Sequence, residues 1–321
     1  MANTDNTSPK APGSAMDRRR FLAYGLGATA AVAALGAGCV ELVSRGILPG
    51  QQVLDRLEGK CSVPAVTLRY STLGPEVSGT FDSRARKRTV GYTIAYPPGY
   101  DRRSELPLIV MLHGFGGNHT NALVGMTPAQ AMALRVGQAP LAPMAIVTVD
   151  GGGGYWNPHP GDDPMAMVID ELIPLCQRLG LGRPPERIGT MGVSMGGYGA
   201  ILFAEKYPQL FSAVAAISPA IWTSYAQAEG ANPRAYASAP DFAENDAVTH
   251  AAALKRIPVR VASGYSDPFH PGVEALSAAL PKGAIVEFSQ GCHTGPFFID
   301  QEPPSLEFLA TNLTARTSGS S

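Results

Sequence analysis

Charge is scarce in this chain. Only 16% of its 321 residues are Asp, Glu, Lys or Arg, against about 25% in an average soluble domain. The signs nearly cancel, with 25 basic and 26 acidic residues and a formal net charge of −1. No block of like charge and no internal repeat interrupts it. A chain this neutral is not built mainly to grip nucleic acid or another acidic polymer. Cysteine is also sparse: four residues, Cys39, Cys61, Cys176 and Cys292, with no close pair. That excludes a disulfide-stapled miniature scaffold and a zinc ribbon. The 36 Gly and 28 Pro make up about one fifth of the chain, short of the roughly 25–30% that marks low complexity. What is plentiful is apolar: 45% hydrophobic residues, enough for a sizeable core.

The N-terminal stretch reads as an address. A polar start leads into Asp17-Arg18-Arg19-Arg20-Phe21-Leu22, followed by an Ala- and Gly-rich apolar run to about Gly38. A basic region before such a run is the pattern of an export signal. The paired arginines resemble the twin-arginine (Tat) consensus, which is read by the Tat export machinery. Residues 1–40 are therefore assigned to the signal and its unstructured start. Gly36-Ala37-Gly38-Cys39 resembles a bacterial lipobox, with Cys39 as the lipidated residue. Membrane association is expected only through this signal or that lipid. In an oxidising compartment Cys61, Cys176 and Cys292 allow one disulfide, whose pairing the sequence does not choose. The simplest reading leaves all three as buried thiols.

From residue 63 onward, apolar β-branched runs alternate with helical patterns, which predicts a mostly parallel sheet flanked by helices. Residues 66–70 and 90–96 read as opening antiparallel strands. Residues 108–112, 145–149, 188–191, 213–217, 259–262 and 285–288 complete a set of about eight. Helices are predicted from Asp163-Pro164 to about Arg178, from Met195 to Lys206, over 271–280, and over 304–315. The Ala- and Pro-rich stretch 218–245 reads as a small lid. One α/β domain over 60–315 is expected, with 316–321 as a frayed tail.

Gly192-Val193-Ser194-Met195-Gly196 matches G-x-S-x-G. The motif carries weight only between a strand and a helix, and both are predicted here. A serine hydroxyl needs a base to take its proton. For a nucleophile on a strand–turn–helix of this kind the chain order is nucleophile, acid, then His, which leaves His250, His270 and His293. His293 follows the last apolar strand, at the sheet edge where sites of open α/β sheets form. The acid must lie between, just after a strand, and Asp267 in Gly264-Tyr265-Ser266-Asp267-Pro268 does so. Its carboxylate there would orient the imidazole. Two backbone N–H groups must then meet the oxyanion: Met195, directly after the nucleophile, and Phe115 in the glycine-rich loop after the third strand. His113 and Gly114 of that loop, with Tyr155 and Trp156, are the expected substrate contacts. Asp162 and Asp163 read as helix caps, His159 as a surface residue without a partner, and Cys292 as a core thiol. No metal-ligand spacing is present.

With these residues in place the chain resembles the α/β-hydrolase fold. More narrowly it resembles the esterase group that includes esterase D-type enzymes and the mycolyltransferase antigens. The carriers are Tyr92-Thr93-Ile94-Ala95-Tyr96-Pro97-Pro98-Gly99, His113-Gly114, Asp150-Gly151-Gly152 with Tyr155-Trp156, the Ser194 turn, Asp267-Pro268-Phe269 and His293. The resemblance implies a Ser-Asp-His esterase or acyltransferase with no metal and no organic cofactor. The leading expectation is an exported serine esterase acting on a small-molecule, lipid or sugar ester. An envelope acyltransferase and a non-catalytic envelope binding protein are the alternatives.

Overall fold

The computed structural model describes residues 51–184 and 187–314. The segment read as an export signal, Cys39 of the lipobox-like motif and the tail 316–321 lie outside the described residues. Helix Gln51–Leu57 belongs to an N-terminal unit, and residues 58–321 form the second.

The second unit is built on an eight-stranded sheet: β1 Glu76–Ser83, β2 Arg88–Ala95, β3 Leu108–Leu112, β4 Ala145–Val149, β5 Ile188–Val193, β6 Phe211–Ile217, β7 Val259–Gly264 and β8 Ile285–Ser289. Their spatial order is β1-β2-β4-β3-β5-β6-β7-β8. The first two pair antiparallel, β2 runs antiparallel to β4, and the rest are parallel. Successive side chains leave a strand on opposite faces. Leu108, Val110 and Leu112 therefore enter one apolar layer, and Ile109 and Met111 the other. Helices cover both layers, so these strands read as unbroken apolar runs rather than alternating ones.

Three helices position the site: α1 Met195–Lys206, α2 His270–Ala279 and α3 Gly295–Thr314. The segment predicted from Pro164 runs as Pro164–Ala166, a wider π-type turn Met167–Leu172, and Ile173–Arg178. Asp163 caps it by accepting from Ala166 N at 2.8 Å.

Several expectations are corrected. Residues 66–70 form no sheet strand. Tyr70 makes one isolated bridge to Leu134, while Ser71 N and Arg69 O each bond across to that loop. The first strand is instead Glu76–Ser83, whose Ser, Gly and Asp hide its β character; its alternating exposure is the true signal. The last helix begins at Gly295 rather than at Pro304, with Pro303 and Pro304 inside it. Residues 218–245 fold into Tyr225–Ala231 and Ala239–Glu244, but no residue of this stretch lines the cavity at Ser194. Asp162 is not a cap: it accepts from Arg86 and Arg88. His159 Nε2 lies 2.7 Å from Gly154 O, so it has a partner. Cys292 is not a thiol. It forms a disulfide with Cys61, and Cys176 alone is free and buried among the described cysteines.

Glu205, on α1, is buried with neither carboxylate oxygen hydrogen-bonded. Burial, with help from Asp246 and against Lys206, pushes its carboxyl up to about 9. The folded state therefore holds a proton that the unfolded chain releases near pH 4.5. Stability should fall as pH rises from about 4.5 to about 9 and level off beyond, by on the order of 5 kcal/mol. Glu205→Gln removes this slope: the Tm difference between variant and wild type should grow steadily from pH 5 to pH 9. A constant difference across that range would refute the assignment.

Candidate active site

The turn between β5 and α1 sets Ser194 at φ 57° and ψ −120°, a sparsely populated conformation for a residue with a side chain. Two glycines permit it. A Cβ on Gly192 would run into the backbone of Gly196, and one on Gly196 into the carbonyl of Leu112. The sharp turn lifts the Ser194 hydroxyl to the C-terminal edge of the sheet.

There it meets the two other predicted residues. His293 Nε2 stands 2.8 Å from Ser194 Oγ, and His293 Nδ1 stands 2.9 Å from Asp267 Oδ2. A carboxylate only accepts, so the imidazole proton sits on Nδ1 and leaves Nε2 free to accept from the hydroxyl. Asp267 is buried, and its other oxygen accepts from Phe269 N at 2.9 Å. The rings of Phe269 and Phe298 flank the imidazole at 5.1 and 5.0 Å.

The acid and base loops are knitted together by backbone. Tyr265 N donates to Ser289 O and Ser266 N to Gly291 O. Gly264 passes so close to Gly291 that a side chain there would strike its carbonyl. The residue before the base, Cys292, is tied covalently to Cys61, 231 residues away. Closing a loop of that length stabilises the fold by about 5 kcal/mol in the chain-entropy picture.

Among the described residues, no acceptor takes the N–H of Phe115 or of Met195. The Phe115 loop is pinned at both ends. His113 Nδ1 donates to Gly114 O at 2.7 Å, and His113 Nε2 accepts from Gly151 N at 2.9 Å. Burial lowers the His113 pKa, outweighing the opposing effect of its bond to Gly114, and keeps this cross-brace neutral. At the far end, Asp150 Oδ1 accepts from His119 N.

A cavity of 430 Å³ opens beside Ser194 and His293, walled by Gly114, Val124 and Phe298, with Phe115 at its mouth. Of the four expected substrate contacts only Gly114 lines it. His113 is a correction: it is 0% exposed and braces the loop from behind. Tyr155 and Trp156 are corrections too. Trp156 lies under His113 and donates to its carbonyl, while Tyr155 packs on Tyr198, Trp222 and Tyr236. Two aromatics after a run of glycines looked like a rim, but the backbone turns inward there at φ 57° and 61°. Val124 and Phe298 were missed. Phe298 lies five residues past His293, one turn into α3, and that spacing could have suggested it. A larger cavity of 780 Å³ lies at the opposite ends of β7 and β8 and contains none of these groups. Among the described residues no cluster of three or more His, Cys, Asp or Glu could hold a metal ion, and no helix is long and apolar enough to cross a membrane.

Residues 83–284 match the model of the Esterase family, described as "Putative esterase". The chain belongs to the Esterase family. No curated protein matches it. Solved structures share the fold of this family member at low identity. A ferulic acid esterase matches with a TM-score of 0.61 and 19% identity, over 76% of this chain and 100% of its own. The S-formylglutathione hydrolase of Agrobacterium tumefaciens gives 0.56 and 18%, over 78% and 100%. Fluorophosphonate-binding serine hydrolase F of Staphylococcus aureus gives 0.59 and 14%, over 74% and 99%.

Proposed function

We propose that this member of the Esterase family is an exported serine esterase that hydrolyses carboxylic esters through an acyl-enzyme. The observation that carries the reading is the continuous hydrogen-bonded line from Ser194 Oγ through His293 to Asp267. Ser194 Oγ attacks the ester carbonyl while His293 Nε2 takes its proton. Asp267 holds the imidazole and stabilises the imidazolium. The Phe115 and Met195 amides receive the oxyanion, each worth about 2.7–4 kcal/mol of barrier in comparable sites. His293 then passes its proton to the leaving alkoxide, and the alcohol departs. Water, deprotonated by His293, attacks the acyl-serine; the carboxylic acid leaves and Ser194 regains its proton.

Export through the Tat machinery is supported by Arg18-Arg19-Arg20 and the apolar run after it. The Cys61–Cys292 disulfide suits an oxidising compartment. One catalytic domain over 60–315 would remain after the leader. The neutral total charge fits a small-molecule substrate rather than nucleic acid.

A panel of aryl esters of graded acyl length, run on the mature protein with product analysis, tests the reading. The expected result is a burst of phenol followed by steady release of the free acid, with or without an added alcohol. Dominant transfer to the alcohol would replace hydrolase by acyltransferase. No turnover of any ester, with no fluorophosphonate adduct, would remove catalysis altogether.

A further inference from the structure

Phe115 lines the Ser194 cavity, and it also approaches Gly153, which lines a second one. A methyl group at Gly153 would stand 3.2 Å from the Phe115 ring and 3.5 Å from Nη2 of Arg234. Gly153 and Arg234 belong to a separate cavity of 520 Å³. Gly153 thus lies against a ring that also lines the Ser194 cavity.

Its lining carries three arginines, Arg86, Arg88 and Arg234, against a single carboxylate, Asp162. That carboxylate is already engaged. It accepts from Arg86 Nε at 2.6 Å and Nη2 at 3.0 Å, and from Arg88 Nη2 at 2.8 Å. Arg86 Nη1 is used as well, on the Asp150 carbonyl. Arg234 is different. Its backbone amide donates to Asn232 Oδ1, but no described residue accepts from its guanidinium. Gly152, Gly153 and Gly154 line the same cavity without side chains, Gly152 against Arg86, Gly153 against Arg234 and Gly154 against His159, and their N–H groups find no acceptor among the described residues. Unpaired amides beside a surplus of cations, of which Arg86 is buried and Arg88 and Arg234 are exposed, favour an anion in the concave wall. The planar fork of Arg suits an oxyanion such as a carboxylate or a phosphate.

We propose that this cavity is a subsite for an anionic group on the ester substrate, held by Arg234 and the Gly152–Gly154 backbone, so that the enzyme selects esters bearing a carboxylate or phosphate. The proposal rests on the esterase reading above.

The test compares a neutral alkyl ester with its terminal carboxylate and phosphate counterparts of matched length. For one anionic ester, kcat/KM should exceed that of the neutral one by about tenfold at low salt. The advantage should shrink as salt is raised. Arg234→Gln should lower the anionic-to-neutral ratio about tenfold through KM, and Arg234→Lys should restore part of it. The two anionic arms distinguish which oxyanion fits. A separate readout needs no turnover: calorimetric binding of the anionic ester to Ser194→Ala protein should weaken about tenfold when Arg234→Gln is added. An unchanged ratio and unchanged binding in Arg234→Gln would overturn the subsite, as would a neutral-ester preference at every salt concentration. Failure of the esterase reading looks different: no ester is hydrolysed, while Arg234-dependent binding persists.

Discussion

Replacing Ser194 by Ala should lower kcat/KM by ~10⁶-fold and abolish labelling by a fluorophosphonate, with the circular dichroism spectrum unchanged. The size of the loss follows from the geometry. In the proposed reaction Ser194 Oγ is the atom that bonds to carbon, and His293, 2.8 Å away, is the group that would take its proton. His293→Ala should cost about as much. The double variant should lose little more than either single one, because nucleophile and base act as one unit. Asp267→Asn should cost ~10⁴-fold: an amide in that place can present an N–H to Nδ1 and favour the wrong imidazole tautomer. Additive losses, or covalent labelling that survives in Ser194→Ala, would mean that chemistry occurs elsewhere.

The second large effect concerns a residue with no side chain. Gly196→Ala puts a methyl group into the Leu112 carbonyl at the junction of β3 and α1. Backbone cannot yield there as a flexible side chain would, because β3 lies inside the sheet between β4 and β5. The turn must open, and with it the φ 57° setting of Ser194. Activity should fall by at least ~10³-fold, with a destabilisation of ~3 kcal/mol or more. Gly230→Ala, where nothing stands within 4 Å, serves as the matched control. Equal thermal unfolding and equal activity of the two variants would show that the elbow is not as tight as described.

What was readable in the sequence, and what was not, divides along physical lines. The strands β3 to β7 announced themselves because burial on both faces demands continuous apolar runs. The three hydrogen-bonded side chains were recoverable because chain order and strand ends restrict where acid and base can stand. β1 escaped because its outer face is exposed and its Ser and Gly imitate a loop. Residues 66–70 misled in the opposite sense: their apolar character serves packing, not a ladder. Tyr155 and Trp156 were read as rim because composition says nothing about a positive φ that turns side chains inward. The partner of Cys292 was beyond reach, since spacing carries no information about which distant loop folds back. Arg234 gave no signal either, because a surplus cation becomes visible only once its neighbours are seen to be neutralised.

The bond between Cys61 and Cys292 sets what a cut in the chain near residue 61 can do. A cut anywhere upstream of residue 61 leaves the disulfide and the imidazole loop untouched. A nick between Cys61 and Glu76 also leaves Cys61 covalently attached. Only a chain cut past Cys61 before the bond forms, or after a reductant has opened it, would leave the Cys292 sulfur free immediately beside His293 and the loop without its strap. The bond itself, not the length of chain before it, is what ties residue 61 to the imidazole loop.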